Sequence, residues 1–335
     1  MLRLGIIGTH TISDQMIHAA QDTGKYQLTA VYSRKLSTAK VFGKKYGAQF
    51  FFDNLHAFMH SGTFDVVYIA SPNSLHYQQA ALAIKNNLCV IVEKPAFVNP
   101  QEFAAIEDLL AAHPQARLVE AARHIHTPLF HSIQQQLLQM GHIQGAEFYA
   151  MKYSSRYDHV FNQPAPYPNI FRRKFAGGAL MDMGVYGIYA AVALFGKPLN
   201  VNYFATLSKE TTIDLKGTAL LQYPNYNVTV NTGKTTTTHN NSEIYGLRDT
   251  LVIDSIFDTK KVTYSNDHGD MQIINNHYLA NTMTDELNDF AAVFTKLESP
   301  QQQANYQHWL ELAKIVNMTL YRLRKSANIV FPSDY

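Results

Sequence analysis

At 335 residues the chain is longer than one compact domain of about 150 residues, so two domains are expected. Apolar residues make up 46% of it and charged residues 16%, a balance that fills a sizeable core and excludes wholesale disorder. The net charge of +2 is nearly neutral, and Lys and Arg are scattered instead of forming the basic stripe a nucleic acid demands. No stretch approaches the roughly 20 apolar residues of a membrane helix. Met1 to Ile7 is too short for the apolar region of a signal peptide. The single cysteine, Cys89, lies in the apolar run Leu88 to Val92, so no internal disulfide forms and a reducing, cytoplasmic setting is expected.

From the N-terminus, short β-branched runs alternate with amphipathic windows, the pattern of a parallel sheet built from βαβ units. Strands are expected at Leu2 to Ile7, Gln27 to Ser33, Val66 to Ala70, Val90 to Glu93 and Leu118 to Ala122. Helices are expected at Ile12 to Gln21, Ser37 to Tyr46, Leu55 to His60, Leu75 to Asn86 and Pro100 to Ala112. Asn99 before Pro100, with Glu102 in the first turn, is a helix start. The texture changes after Ala122, which places a Rossmann domain at 1–122 and a second, α+β domain at 123–335. There a helix at Leu129 to Met140 precedes strands at Ala146 to Tyr153, Asn200 to Leu207, Thr218 to Tyr223, Tyr226 to Thr232, Glu243 to Arg248, Thr250 to Ile256 and Lys261 to Tyr264. Turn residues join most of these strands, so a large, mostly antiparallel open sheet is expected. A helix at Ala179 to Phe195 interrupts the strands, and helical patterns at Thr282 to Leu297 and Gln303 to Arg324 close the chain.

The segment Gly5 to Ser13 follows a strand and opens a helix, the setting in which a glycine-rich turn cradles a dinucleotide pyrophosphate. Gly8, Thr9, His10, Thr11 and Ile12 are the candidate contacts. His10 stands where the pattern wants its second glycine and Ser13 where it wants the third; the imidazole either crowds the phosphates or hydrogen-bonds one. At the end of the second strand an acid would grip the ribose of NAD, whereas an arginine accepts the 2′-phosphate of NADP. Tyr32-Ser33-Arg34-Lys35 has no acid, so NADP is expected, with Ser33 and Arg34 as contacts and NAD as the alternative cofactor.

Three further segments follow in order: Ala70-Ser71-Pro72-Asn73-Ser74-Leu75-His76, Glu93-Lys94-Pro95, and Gly177-Gly178-Ala179-Leu180-Met181-Asp182-Met183-Gly184-Val185-Tyr186. In this order and spacing the chain closely resembles, over nearly its whole length, the Gfo/Idh/MocA oxidoreductases, in particular the branch of glucose-fructose oxidoreductase and dimeric dihydrodiol dehydrogenase. The resemblance implies an active site in the cleft between a Rossmann domain and a C-terminal domain whose open sheet makes a homodimer or homotetramer. It implies hydride transfer between a nicotinamide and a sugar, polyol or vicinal diol/carbonyl substrate. By motif, Lys94 is the catalytic lysine, Asp182 its partner, and Tyr186 fills a position that many members give to histidine. The resemblance adds Ala70, Ser71, Pro72, Asn73, His76, Glu93 and Lys94 to the cofactor site and a cis peptide at Lys94-Pro95. An arginine often found two residues beyond Arg123 is missing, so substrate contacts there do not transfer.

Oxidising an alcohol needs a hydride acceptor on one side of the carbon and a base within reach of the hydroxyl proton, which a lysine or a tyrosine supplies. Asp182 and Tyr186, four apart on one helix, share a face. Arg156, Tyr157, Arg172 and Arg173 precede that helix and are read either as cleft residues or as a solvated loop. His124, His126 and His131 are the nearest approach to a histidine cluster, but no cysteine or carboxylate joins them at ligand spacing and no metal is expected. The competing function is a regulatory protein of the same fold that binds the dinucleotide or a sugar without turnover.

Overall fold

The computed structural model describes residues 1–275, 278–296 and 298–335. The chain forms two compact units, Met1–Arg123 with Leu279–Ala313, and His124–Tyr278 with Lys314–Tyr335.

In the first unit, β1 (Leu2–Ile7), β2 (Tyr26–Tyr32), β3 (Phe50–Phe52), β4 (Val66–Ile69), β5 (Cys89–Glu93) and β6 (Arg117–Ala121) alternate with α1 (Thr11–Thr23), α2 (Leu36–Lys45), α3 (Leu55–Met59), α4 (His76–Lys85) and α5 (Pro100–Ala112). The strands make one parallel sheet in the order β3-β2-β1-β4-β5-β6. All four residues of β4 are fully buried, as a strand covered on both faces must be. Asn99 caps α5 by accepting from Glu102 N at 2.8 Å, with Pro100 in the first turn. The strand order reverses at β1 and β4, so their carboxyl ends open the crevice where doubly wound sheets bind ligands.

The second unit begins with α6 (Pro128–Leu137), β7 (Gly145–Met151) and α7 (Tyr157–Asn162). A π-helical turn at Leu180–Gly184 runs into α8 (Val185–Phe195). The remaining strands are β8 (Asn200–Leu207), β9 (Asp214–Gln222), β10 (Asn227–Gly233), β11 (Ser242–Tyr245), β12 (Asp249–Ile253), β13 (Val262–Asn266) and β14 (Met271–Asn275). Among the described residues they form an eight-stranded sheet, β14-β13-β12-β11-β7-β10-β9-β8, antiparallel except where β7 and β10 pair in parallel. One face packs on α8, with Phe195 stacked on Phe148 at 6.4 Å. The other face carries Glu147, Tyr149, Glu243 and Tyr245, all half-buried, and Phe204, which is 70% exposed. The run Arg173–Phe195 is long and apolar enough to cross a membrane by composition alone, contrary to expectation, but most of it is buried inside this unit as a core helix.

Two closing helices follow, α9 (Met283–Thr295) and α10 (Pro300–Ser326). Leu297, the expected end of the first, lies outside the described residues. Although α9 belongs to the stretch assigned from sequence to the second domain, its Met283, Leu287, Phe290 and Phe294 pack in one core with Leu4, Ile6, Met16 and Ile17. Tyr26 Oη donates to Leu287 O at 3.0 Å, so α9 completes the first unit. The tertiary partner α1 lies more than 250 positions upstream in the chain, and helical periodicity carries no record of it.

Candidate active site

Gly8 follows β1 with φ +110°, and a Cβ there would stand 2.7 Å from Ala70 O, at the end of β4. The two ends approach so closely that only glycine fits. His10, the residue before α1, is extended at φ −111° and ψ 175°, makes no side-chain cap and is exposed. No left-handed conformation is needed there, so histidine replaces the expected glycine without backbone strain. Ser13 is fully buried in the first turn of α1, and its Oγ has no hydrogen-bond partner. Uncapped N–H groups at a helix start favour an anionic ligand, and Thr9, Thr11 and Ile12 surround them. Ser33 continues β2 by donating its N–H to Phe52 O at 3.0 Å, and Arg34 and Lys35 beyond it are exposed.

After β4, Ser71 Oγ donates to Gln79 Oε1 at 2.7 Å, and Asn73 opens a short 3-10 turn, half-buried like Pro72. His76 is completely buried; its ring nitrogens face Ser71 O at 2.8 Å and Pro95 O at 3.1 Å. Burial holds the imidazole below its ordinary pKa, against the pull of these carbonyls. With no exposed surface, His76 serves as a brace between the Ser71 loop and Pro95. The Lys94-Pro95 peptide is cis, and Lys94 is half-buried. Glu93 is buried, accepts from Tyr68 Oη at 2.6 Å, and is pushed above the usual carboxylate range by burial. Glu120 Oε1 accepts from Ala96 N at 3.0 Å, so buried carboxylates grip the chain on both sides of Lys94-Pro95.

In the second unit, Asp182 sits within the π-helical turn, a wide turn common at functional sites. Asp214 from β9 secures its start: Oδ2 accepts from Leu180 N at 2.6 Å and from Tyr203 Oη at 2.7 Å. Gly178, at φ +132°, admits this carboxylate, since a Cβ there would stand 2.1 Å from Asp214 Oδ1. Thr232 Oγ1 donates to Ala179 O at 3.0 Å, fastening the turn to β10. Burial raises the pKa of Asp214, while the Leu180 N–H, Tyr203 and Lys234 oppose the rise. Tyr186 is 8% exposed at the start of α8; the His124 ring meets its ring edge-on at 5.0 Å, and His124 Nε2 lies 3.0 Å from Tyr186 O.

From sequence Asp182 has Lys94 as its partner; within its own unit its carboxylate is taken by a second lysine, Lys234, at 2.7 Å. Lys234, Asp214 and His124 are unforeseen members of this site. Lys234 directly follows β10, where two valines alternate with polar residues, and Asp214 opens β9; position at a strand end is the only local signal, because their partners are tens of residues away. Of the histidines weighed as a cluster, His124 and His126 are buried whereas His131 is exposed beside Gln134. Arg156 and Arg173 are exposed, Arg172 lies over the Phe175 ring at 4.9 Å, and Tyr157 packs on Phe171.

Comparison with known proteins agrees with this architecture. Residues 2–122 match the model of the oxidoreductase family with an NAD-binding Rossmann fold, and residues 150–252 match the GFO/IDH/MocA C-terminal domain. The chain is 34% identical to the oxidoreductase YgjR of Escherichia coli (strain K12), over 100% of this chain and 99% of that protein. It is 33% identical to scyllo-inositol 2-dehydrogenase (NADP(+)) IolU of Bacillus subtilis (strain 168), with the same coverage. In fold it is similar to KijD10, a 3-ketoreductase from Actinomadura kijaniata solved with NADP and TDP-benzene, at TM-score 0.84 and 21% identity over 97% of both chains. The chain therefore belongs to the Gfo/Idh/MocA family of NAD(P)-dependent oxidoreductases.

Proposed function

We propose that the protein interconverts a hydroxyl and a carbonyl on a sugar, polyol or vicinal diol, with NADP preferred over NAD. The observation that carries this reading is that Lys94, Asp182 and Tyr186, three groups able to bind and deprotonate a hydroxyl, are each held by buried neighbours. The whole-length similarity to a protein named as an NADP(+)-dependent inositol dehydrogenase supports the substrate class.

The residues fit a dinucleotide: Gly8 lets the ends of β1 and β4 close up beside the start of α1, which offers N–H groups, and buried Ser13 Oγ lacks a partner. Arg34 and Ser33 take the 2′-phosphate, with the acid-free turn favouring NADP. Ala70, Ser71, Pro72 and Asn73 line the cofactor, and His76 and Glu93 hold that lining and Lys94 in place. The nicotinamide, when bound, takes or gives the hydride. Tyr186 and Lys94 move the hydroxyl proton, and Asp182 accepts a hydrogen bond that orients the substrate. The chain self-associates as a homodimer or homotetramer through the exposed sheet face around Phe204.

Turnover of a panel of inositols, aldoses and diols by Lys94→Ala and Tyr186→Phe tests the assignment. General acid-base catalysis contributes about 10²- to 10⁴-fold, so kcat should fall by that order while NADPH still binds. Unchanged kcat in both variants contradicts it.

A further inference from the structure

We infer that Lys234 is a positioning residue for Asp182, anchoring the catalytic carboxylate to the sheet; this rests on the reading of Asp182 given above. Lys234 stands immediately after β10, its backbone fixed by Lys234 N donating to Leu215 O at 2.9 Å and Ser154 N donating to Lys234 O at 2.9 Å. Its side chain is 1% exposed, although a buried ammonium is costly unless paired. Nζ lies 2.7 Å from Asp182 Oδ2, 3.4 Å from Ile170 O and 4.6 Å from the centroid of the Phe171 ring. These contacts join three separate pieces of chain: the turn Asn169–Phe171, the π-helical turn and the end of β10.

The asymmetry in burial gives the pair its sense. Lys234 is sealed from solvent, whereas a third of the Asp182 side chain (33%) remains exposed, so the carboxylate faces outward from an inward anchor. Asp182 sits in a π-helical turn, its own N–H donating to Gly178 O at 3.2 Å, and that backbone bond does not by itself fix the side chain. A charge-assisted bond to a rigid strand end supplies that constraint. Asp214 already holds the start of the same turn, at Leu180 N, and Lys234 acts on it electrostatically as well. The ammonium thus pairs directly with the outward-facing carboxylate, and its charge also favours the ionised form of the one that holds the helix start.

The test compares Lys234→Met, Asp182→Asn and the double variant, each loaded with NADPH. Lys234→Met should lower kcat about 10- to 100-fold, the order expected for a displaced catalytic group, while KM for NADPH stays within about twofold. The double variant should be no slower than Asp182→Asn alone. Thermal unfolding gives a readout independent of turnover: Asp182→Asn takes the charged partner at 2.7 Å from a buried ammonium and lowers the melting temperature, and adding Lys234→Met recovers part of that loss. Should Lys234→Met fail to fold, Lys234→Gln is read by the same criteria. If Asp182→Asn slows turnover and Lys234→Met does not, or if their losses multiply, the inference about Lys234 is overturned and the reading of Asp182 stands. An unaltered kcat in Asp182→Asn overturns that reading, and the inference with it.

Discussion

Glu286 offers a test of the first unit that involves no substrate. It lies on α9, is completely buried, and neither carboxyl oxygen has a hydrogen-bond partner. Burial drives its pKa well above the ordinary value of 4.5, the neighbouring charge of Glu93 adds to the rise, and Arg123 opposes it. Above the pH at which the unfolded chain releases this proton, the native state still binds it. Stability therefore falls as pH rises from about 4.5 towards the native pKa, by about 1.4 kcal/mol for each pH unit in that window. Glu286→Gln, neutral and of the same shape, removes the penalty. Variant and wild type should unfold alike near pH 4 and diverge above it, the variant becoming progressively more stable than wild type as the pH rises towards the native pKa. Urea unfolding from pH 4 to 8 reads the effect through Trp309, the single tryptophan, which packs edge-on against Phe290 of α9 at 5.9 Å. Parallel pH curves for the two proteins, or a variant less stable at every pH, would falsify the account of Glu286 as a buried neutral acid.

Gly8→Ala places a Cβ 2.7 Å from Ala70 O at a φ of +110°, a conformation that costs non-glycine residues roughly 1–3 kcal/mol. Both the melting temperature and NADPH affinity should fall; if neither changes, the close approach of β1 and β4 is not a cofactor cradle. Phe204→Glu on the open sheet face should shift sedimentation towards monomer, since each copy loses about 1.5–3 kcal/mol of apolar burial. A wild-type chain that sediments as a monomer refutes the proposed assembly.

The parallel sheet was legible because continuous β-branched runs and capping residues are local signals: Leu2–Ile7 and Pro100–Ala112 match their expected bounds residue for residue. The three-residue β3 and the six-residue α7 are too short to show periodicity, and β14 is a polar-flanked edge strand. The parallel pairing of β7 with β10 joins residues about 80 apart, which no turn signal records. The motif around Asp182 was readable as far as its helix, but not the π-helical turn that carries it. That turn depends on Asp214, Thr232 and Lys234, whose roles exist only once β9 and β10 pack beneath it. His10 looked like a defect because a pattern of letters does not specify φ; its extended backbone removes the conformational objection.

The central claim is that this chain binds a nicotinamide dinucleotide and uses it on a sugar or polyol. Titration with NADPH and NADH, followed by nicotinamide fluorescence, tests it most directly, with inositols, aldoses and diols then added to the tighter complex in its oxidised or reduced form. The predicted result is saturable binding with NADPH tighter than NADH, and a change in nicotinamide fluorescence on addition of at least one polyol or sugar. Absence of binding by either cofactor contradicts the claim.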